Sequence, residues 1–178
     1  FPSGLNSFWL DNRKKSLLDR PRLLYVGRTK IEKGVFSLLK IFDEIESDIQ
    51  LSLVGRKEDV RSKNKKVSFV GYISDPTSLI KIYDDHNIFI LPSFTEAHPK
   101  VVDESLARAR PVIVFEEIKH IIQNRKGIFV SKRNAKSFQE TIDFIMKNYT
   151  SIQESMTNNK LPTKKEFVLQ MNNILSSN

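Results

Sequence analysis

The chain of 178 residues contains no cysteine. No disulfide framework and no thiolate metal site can therefore be part of it. This fits a reducing compartment, and a cytoplasmic location is expected. No apolar run approaches the length of a membrane span. The first residues, Phe1-Pro-Ser-Gly, do not make a signal peptide. Internal repeats and low-complexity tracts are also missing. The length suffices for one domain with a real hydrophobic core.

Positive charge, by contrast, is in excess. Lysine and arginine number 29 against 21 acidic residues, a net charge of +8. Lys, Ile and Asn are all abundant, as in an AT-rich coding sequence, and such bias raises charge without a role. The densest basic run, Arg56–Lys66, has no interleaved aromatics. It lacks the stacking platform of single-strand binders, so no nucleic-acid partner is expected. A solvated loop and a peripheral contact with an anionic membrane face both remain open.

Apolar runs alternate with amphipathic stretches, which argues for βα repeats and a mainly parallel sheet. Strands are predicted at 23–26, 51–54, 67–70, 88–91, 112–114 and 128–130. Helices are predicted at 34–45, 76–83, 99–109, 136–148 and 164–175. Asp75 reads as an N-cap. In the first helix Phe36, Leu39, Ile41 and Phe42 are expected to share a buried face.

The segment from Pro92 to Val114 carries two glutamates, Glu96 and Glu104. A buried strand runs into the first, and the second lies in the opening turns of a helix. In an open α/β sheet, ligands bind outside the carboxyl ends of the strands. Helix amino termini there favour anions. Two carboxylates beside an anion site suit a ligand with hydroxyls on both sides of a phosphate, such as a nucleotide-sugar. By helical angle Glu104 lies on the flank of the apolar stripe, and Asp103 is expected to face solvent.

This segment resembles the signature of retaining glycosyltransferases of the GT-B fold, in particular the large family 4, the group 1 glycosyltransferases. The pattern is Pro92-Ser93, Glu96, seven residues, Glu104, an Ala-rich turn and Pro111-Val-Ile. Leu23-Leu-Tyr-Val-Gly-Arg28 with Lys33-Gly34 is similar to that family's diphosphate-binding stretch. Leu51–Gly55 and Val67–Gly71 resemble its next two strands, and Phe1–Leu5 its linker. The resemblance implies a Rossmann-like parallel sheet with helices on both faces, the carboxyl-terminal donor-binding half of a two-domain enzyme. On that reading residues 1–20 are an interdomain linker, 21–160 the donor domain and 161–178 a C-terminal helix. The acceptor, a glycan or lipid-linked molecule, would bind the other half, so this chain alone is expected to be inactive in transfer.

The same resemblance implies roles for particular residues. Gly27, Arg28 and Lys33 would hold the diphosphate, where negative charge grows as the sugar leaves. No metal and no cofactor are expected, the NDP-sugar being the substrate. Glu104 would accept hydrogen bonds from the ribose hydroxyls. Glu96 would bind and position the donor sugar, and with Arg28 and Lys33 forms the expected catalytic set. Ala97, His98, Lys100 and Val101 would line sugar and phosphate, and Tyr72 and Ile73 the base. Three positions depart from the family pattern: Arg110 before Pro111, the stretch Phe115–His120 in place of a glycine-rich loop, and Arg56-Lys57 after Gly55. They bear on the donor-sugar pocket more than on the diphosphate or ribose site. They also motivate one alternative, a degenerate or non-catalytic sugar-nucleotide-binding module; a GT-B relative with different chemistry, such as a nucleotide-sugar epimerase, is a separate one.

Overall fold

Two of the apolar runs, Ile88–Leu91 and Val112–Phe115, are buried at every position. A strand covered on both faces needs this continuous pattern. They are β4 and β5 of a six-stranded sheet. The others are β1 (Arg22–Val26), β2 (Gln50–Val54), β3 (Val67–Gly71) and β6 (Ile128–Ser131). All pairings are parallel and the order is β3-β2-β1-β4-β5-β6. β3 lies at an edge, and its burial alternates as an edge strand's does. The computed structural model describes residues 4–16, 18–56 and 60–176. Phe1 to Ser3 and the Lys57 part of the basic run lie outside them.

The crossovers are α1 (Val35–Asp43), α2 (Pro76–Asp85), α3 (Lys100–Ala107) and a stretch of 3-10 turns, Glu116–Ile122. α4 (Ala135–Lys147), α5 (Tyr149–Met156) and α6 (Lys164–Ser176) follow. Right-handed crossovers place α1 on one face and α2 and α3 on the other, because the chain leaves β1 in the opposite direction from β4. Local chemistry sets the helix ends. Asp75 accepts from the Ser78 amide at 2.7 Å, and Asn134 from the Ser137 amide at 2.9 Å. Thr163 and Glu166 form a reciprocal capping box at α6.

The sheet and all five predicted helices agree with expectation within about two residues at each end. α5 was not anticipated. In α1 the buried residues are Val35, Leu38, Leu39, Ile41 and Phe42, whereas Phe36 is exposed. The stripe is therefore rotated by about a residue from the expected one. Lys66, inside the basic run, donates to the carbonyls of Ile45, Glu46 and Ser47 and closes the carboxyl end of α1. That cation is committed to the fold.

Two guanidinium groups, Arg108 and Arg110, are each only 1% exposed. Arg108 grips Asp84 with two bonds, Nε to Oδ1 at 2.9 Å and Nη2 to Oδ2 at 2.8 Å. Its remaining protons go to the carbonyls of Trp9, Asp11 and Asn12. Arg110 donates to the carbonyls of Tyr83, Asp84, Arg108 and Lys14. The clasp thus fastens residues 9–14 across the end of α2, where unpaired helix carbonyls favour cations. A second fastening joins Leu5 to the segment before α6, with Leu5 N–H to Pro162 O at 2.7 Å and Lys164 N–H to Leu5 O at 2.9 Å.

Removing the acid of a buried ion pair strands the cations in a dry interior. Asp84→Ala is expected to lower stability by about 3–5 kcal/mol, read as a fall in the urea midpoint. A loss below about 1 kcal/mol would mean that the pair is effectively solvated.

Candidate functional site

β1 and β4 are neighbours, yet β1 continues toward β2 and β4 toward β5. Their carboxyl ends therefore open into a crevice, the position where doubly wound sheets take their ligands. The loops after β1, β2, β3 and β4 converge there. After β1 come Gly27, Arg28 and a 3-10 turn, Ile31–Lys33, that leads into α1. Gly34, at φ 69°, makes that entry, and a Cβ there would lie 1.9 Å from the Pro92 carbonyl oxygen. Only glycine allows the β1 loop to press so closely on the end of β4. Phe94 N–H adds a bond to Glu32 O at 3.1 Å.

The crevice has two connected parts. One, of about 360 Å³, is lined by Gly27, Arg28, Lys33, Glu96, Lys100 and Val101. The other, of about 320 Å³, is lined by Gly27, Arg28, Gly55, Arg56, Tyr72 and Ile73. Gly27 and Arg28 belong to both. Lys33 Nζ sits 2.7 Å from Glu96 Oε1, and Ser93 Oγ donates to the same oxygen at 2.7 Å. Arg28 is exposed and makes no ion pair among the described residues. In the second part Arg56 lies over the Tyr72 ring, 5.4 Å from its centroid, a cation–π contact.

Glu104 lies behind Lys100 and not on the wall of the crevice. It is 5% exposed. Oε2 accepts from the Tyr83 hydroxyl at 3.2 Å, and Lys100 Nζ is 3.5 Å from Oε1. Burial pushes the Glu104 carboxyl above the ordinary glutamate range, while Lys100 and Tyr83 pull it back. Tyr83 is pushed well above its usual range by burial first and by the Glu104 charge second.

Asp103 is a correction. It is buried, not solvent-facing, with Arg125 Nη1 on Oδ1 at 2.6 Å and His98 Nε2 on Oδ2 at 3.2 Å. The 3-10 stretch after β5 folds Arg125 back over α3, which the helical wheel alone does not show. His98 is thereby drawn into a separate cleft that also contains Lys160, away from the Glu96 wall. Ala97 is exposed between the two. Among the described residues no group of three His, Asp or Glu side chains is placed to hold a metal ion. No described helix is long and apolar enough to cross a membrane.

The family described as glycosyl transferases group 1 has a sequence model that matches residues 20–148. The chain belongs to this family. It is 29% identical over 174 residues to the capsular polysaccharide biosynthesis glycosyltransferase CapM of Staphylococcus aureus, covering 85% of this chain and 45% of that protein. To an N-acetylgalactosaminyltransferase of Campylobacter jejuni that acts on a diphospho-undecaprenol-linked sugar it is 21% identical over 154 residues, 79% of this chain and 41% of that one. The chain thus spans less than half the length of these relatives. Among solved structures, sucrose-phosphate synthase of Thermosynechococcus elongatus superposes with a TM-score of 0.74 at 23% identity, over 99% of this chain and 51% of that one. Anabaena HepE, solved with UDP and glucose, superposes with a TM-score of 0.73 at 12% identity, over 90% and 49%. These two likenesses concern the fold.

The three departures of this glycosyltransferase chain find structural explanations. Arg110 is spent in the clasp and does not enter the crevice. The stretch after β5 forms 3-10 turns, from which His120 Nε2–H donates to the Glu96 carbonyl at 2.8 Å. Arg56 covers Tyr72. One residue escaped the sequence reading. Arg133 lies 4.1 Å from the Phe94 ring centroid and 4.2 Å from that of Phe115, and donates to Pro92 O at 2.9 Å and to Glu117. That bond holds the Glu117 carboxyl below its ordinary range. Arg133 braces the loop that carries Glu96, and nothing in its local sequence marks it.

Gly34→Ala is expected to destabilise this chain by about 1–3 kcal/mol, because strain and overlap with Pro92 act together. Chemical denaturation measures it. An unchanged midpoint would show that the close approach of the two loops is dispensable.

Proposed function

We propose that the crevice binds an NDP-sugar donor, and that the chain is the donor-binding part of a retaining glycosyltransferase acting on a glycan or lipid-linked acceptor. The observation that carries this reading is the Lys33–Glu96 pair, held at 2.7 Å across the mouths of β1 and β4 with the amino terminus of α3 behind it. In the free protein each satisfies the other. A diphosphate arriving at Arg28 and Lys33 takes the lysine, and Glu96 is released to the hydroxyls of the sugar. The part lined by Tyr72 and Ile73 takes the base, and Glu104 takes the ribose once Lys100 moves aside. Fold neighbours solved with UDP and with UDP-glucose support a nucleotide ligand of this kind.

In the transfer step the bond between the anomeric carbon and the β-phosphate oxygen breaks, and a bond to the acceptor oxygen forms on the same face. The leaving phosphate takes the acceptor proton. Arg28, Lys33 and the α1 and α3 amides stabilise the charge that grows on the phosphate, and this field does not require a divalent ion. Nothing in this chain is assigned to hold the acceptor. The pathway is that of a surface polysaccharide, and the chain works at the cytoplasmic side, with contact to an anionic membrane as an added expectation.

Titration calorimetry with UDP and GDP in EDTA tests the reading. Binding is expected without metal. Glu104→Ala is expected to weaken it about ten- to a hundredfold, the loss of hydrogen bonds to a charged acceptor. Glu96→Gln is expected to leave free nucleotide binding unchanged or stronger, since it releases Lys33, while lowering turnover in the full-length protein. Strict dependence on Mg²⁺ or Mn²⁺, or equal losses in both variants, would contradict the assignment.

A further inference from the structure

Glu104 is held by two partners of opposite character. On one oxygen stands Lys100, whose side chain is 52% exposed and 3.5 Å away. On the other stands the Tyr83 hydroxyl, at 3.2 Å and with no exposure at all. The lysine is a long, solvated side chain that can leave. The tyrosine cannot. Its ring meets Trp9 edge-on at 5.5 Å and stacks on Phe89 at 5.6 Å. Its own carbonyl is held by Arg110 Nε at 3.1 Å. No described part of Tyr83 lines the crevice.

We infer that Tyr83 is the positioning residue of the nucleotide site, its buried hydroxyl fixing one oxygen of Glu104 so that the carboxylate meets the ribose hydroxyls in one set orientation. The inference rests on the assignment of Glu104 to the ribose. The hydroxyl has one proton and two acceptors within reach, Glu104 Oε2 and Val101 O at 3.3 Å. Val101 O already accepts within the first turns of α3. The charged oxygen is the stronger acceptor, so the proton belongs to Glu104.

Orientation and protonation are linked here. Two vicinal hydroxyls donate to a carboxylate, whereas a carboxylic acid has a proton of its own to place. Burial favours the acid form of Glu104, and the Tyr83 hydrogen bond opposes that by stabilising the anion. The charged groups near this carboxylate are Lys100 and Asp103 on its own helix, and the neutral Tyr83 phenol faces it from α2. Lys100 also favours the anion, but a ligand that displaces it leaves Tyr83 as the support from within.

The test uses Tyr83→Phe, which keeps the ring and its stacking and removes only the hydroxyl. Binding of UDP or GDP is compared with binding of the 2′,3′-dideoxy nucleoside diphosphate, from mildly acid to neutral pH. The expected result is a loss of about three- to tenfold for the ribonucleotide, with affinity for the dideoxy compound unchanged. The acid limb of ribonucleotide binding moves to higher pH, since Glu104 without its donor protonates more readily. Equal losses for both nucleotides, or no loss and no movement of the acid limb, would overturn the inference. Glu104→Gln tells the two failures apart. If it too treats the two nucleotides alike, the ribose assignment falls and the inference with it. If it separates them while Tyr83→Phe does not, the inference alone falls.

Discussion

Between β1 and β4 the direction of the chain reverses, and the site depends on that reversal. Two parallel strands lie side by side, and their onward connections leave to opposite sides of the sheet. The space above their ends cannot be filled by either connection. Into it come the turn with Arg28 and Lys33 and the loop with Glu96, while α1 and α3 both begin at its edge. Opposite charges that are far apart in sequence thus stand within hydrogen-bond distance. A diphosphate linked to a sugar has the charge and the hydroxyls to separate them.

The reversal leaves an opening, and other contacts give it a fixed shape. Gly34 lets the β1 loop touch the Pro92 carbonyl. Arg133, set between Phe94 and Phe115, ties the Glu96 loop to β6 and Glu117. On the opposite face of the sheet the Asp84 clasp anchors residues 9–14 and the end of α2. Tyr83 joins that clasp to Glu104: its carbonyl belongs to one and its hydroxyl to the other. Two buried arginines are a costly way to hold residues 9–14, because each must leave water. The cost is offset by pairing with Asp84 and by carbonyl acceptors for the outer nitrogens. Such bonds have a direction, which apolar packing lacks, so the segment is seated in one register.

Much of this was legible in the sequence because it is written locally. Short apolar runs marked the strands and period-3.6 patterns most helices, Asp75 announced its own cap, and the two glutamates stood out by their spacing. The unread part is non-local. Asp103 looked solvated because a helical wheel knows nothing of Arg125. Phe36 looked buried because large apolar residues usually are, yet α1 turns Val35 and Leu38 inward. Arg110 looked like an intrusion into the sugar pocket until its guanidinium was found in the clasp. Arg133 gave no sign, since two aromatic rings from distant segments define its place. α5 follows α4 with a single residue between, and a continuous polar and apolar mixture hides that break. The roles of Tyr83 and of the α2 carbonyls likewise depend on which helix end meets which loop.

The central claim is that the crevice between β1 and β4 holds a nucleoside diphosphate, with phosphates at Lys33 and ribose at Glu104. A crystal structure of the protein soaked with UDP-sugar or GDP-sugar tests it most directly. The account predicts β-phosphate oxygens within hydrogen-bond distance of Lys33 Nζ, the base beside Tyr72 and Ile73, and both ribose hydroxyls on the Glu104 carboxylate with Lys100 displaced. A nucleotide in the cleft of His98 and Lys160, or one that leaves the Lys33–Glu96 and Lys100–Glu104 pairs intact, would contradict it.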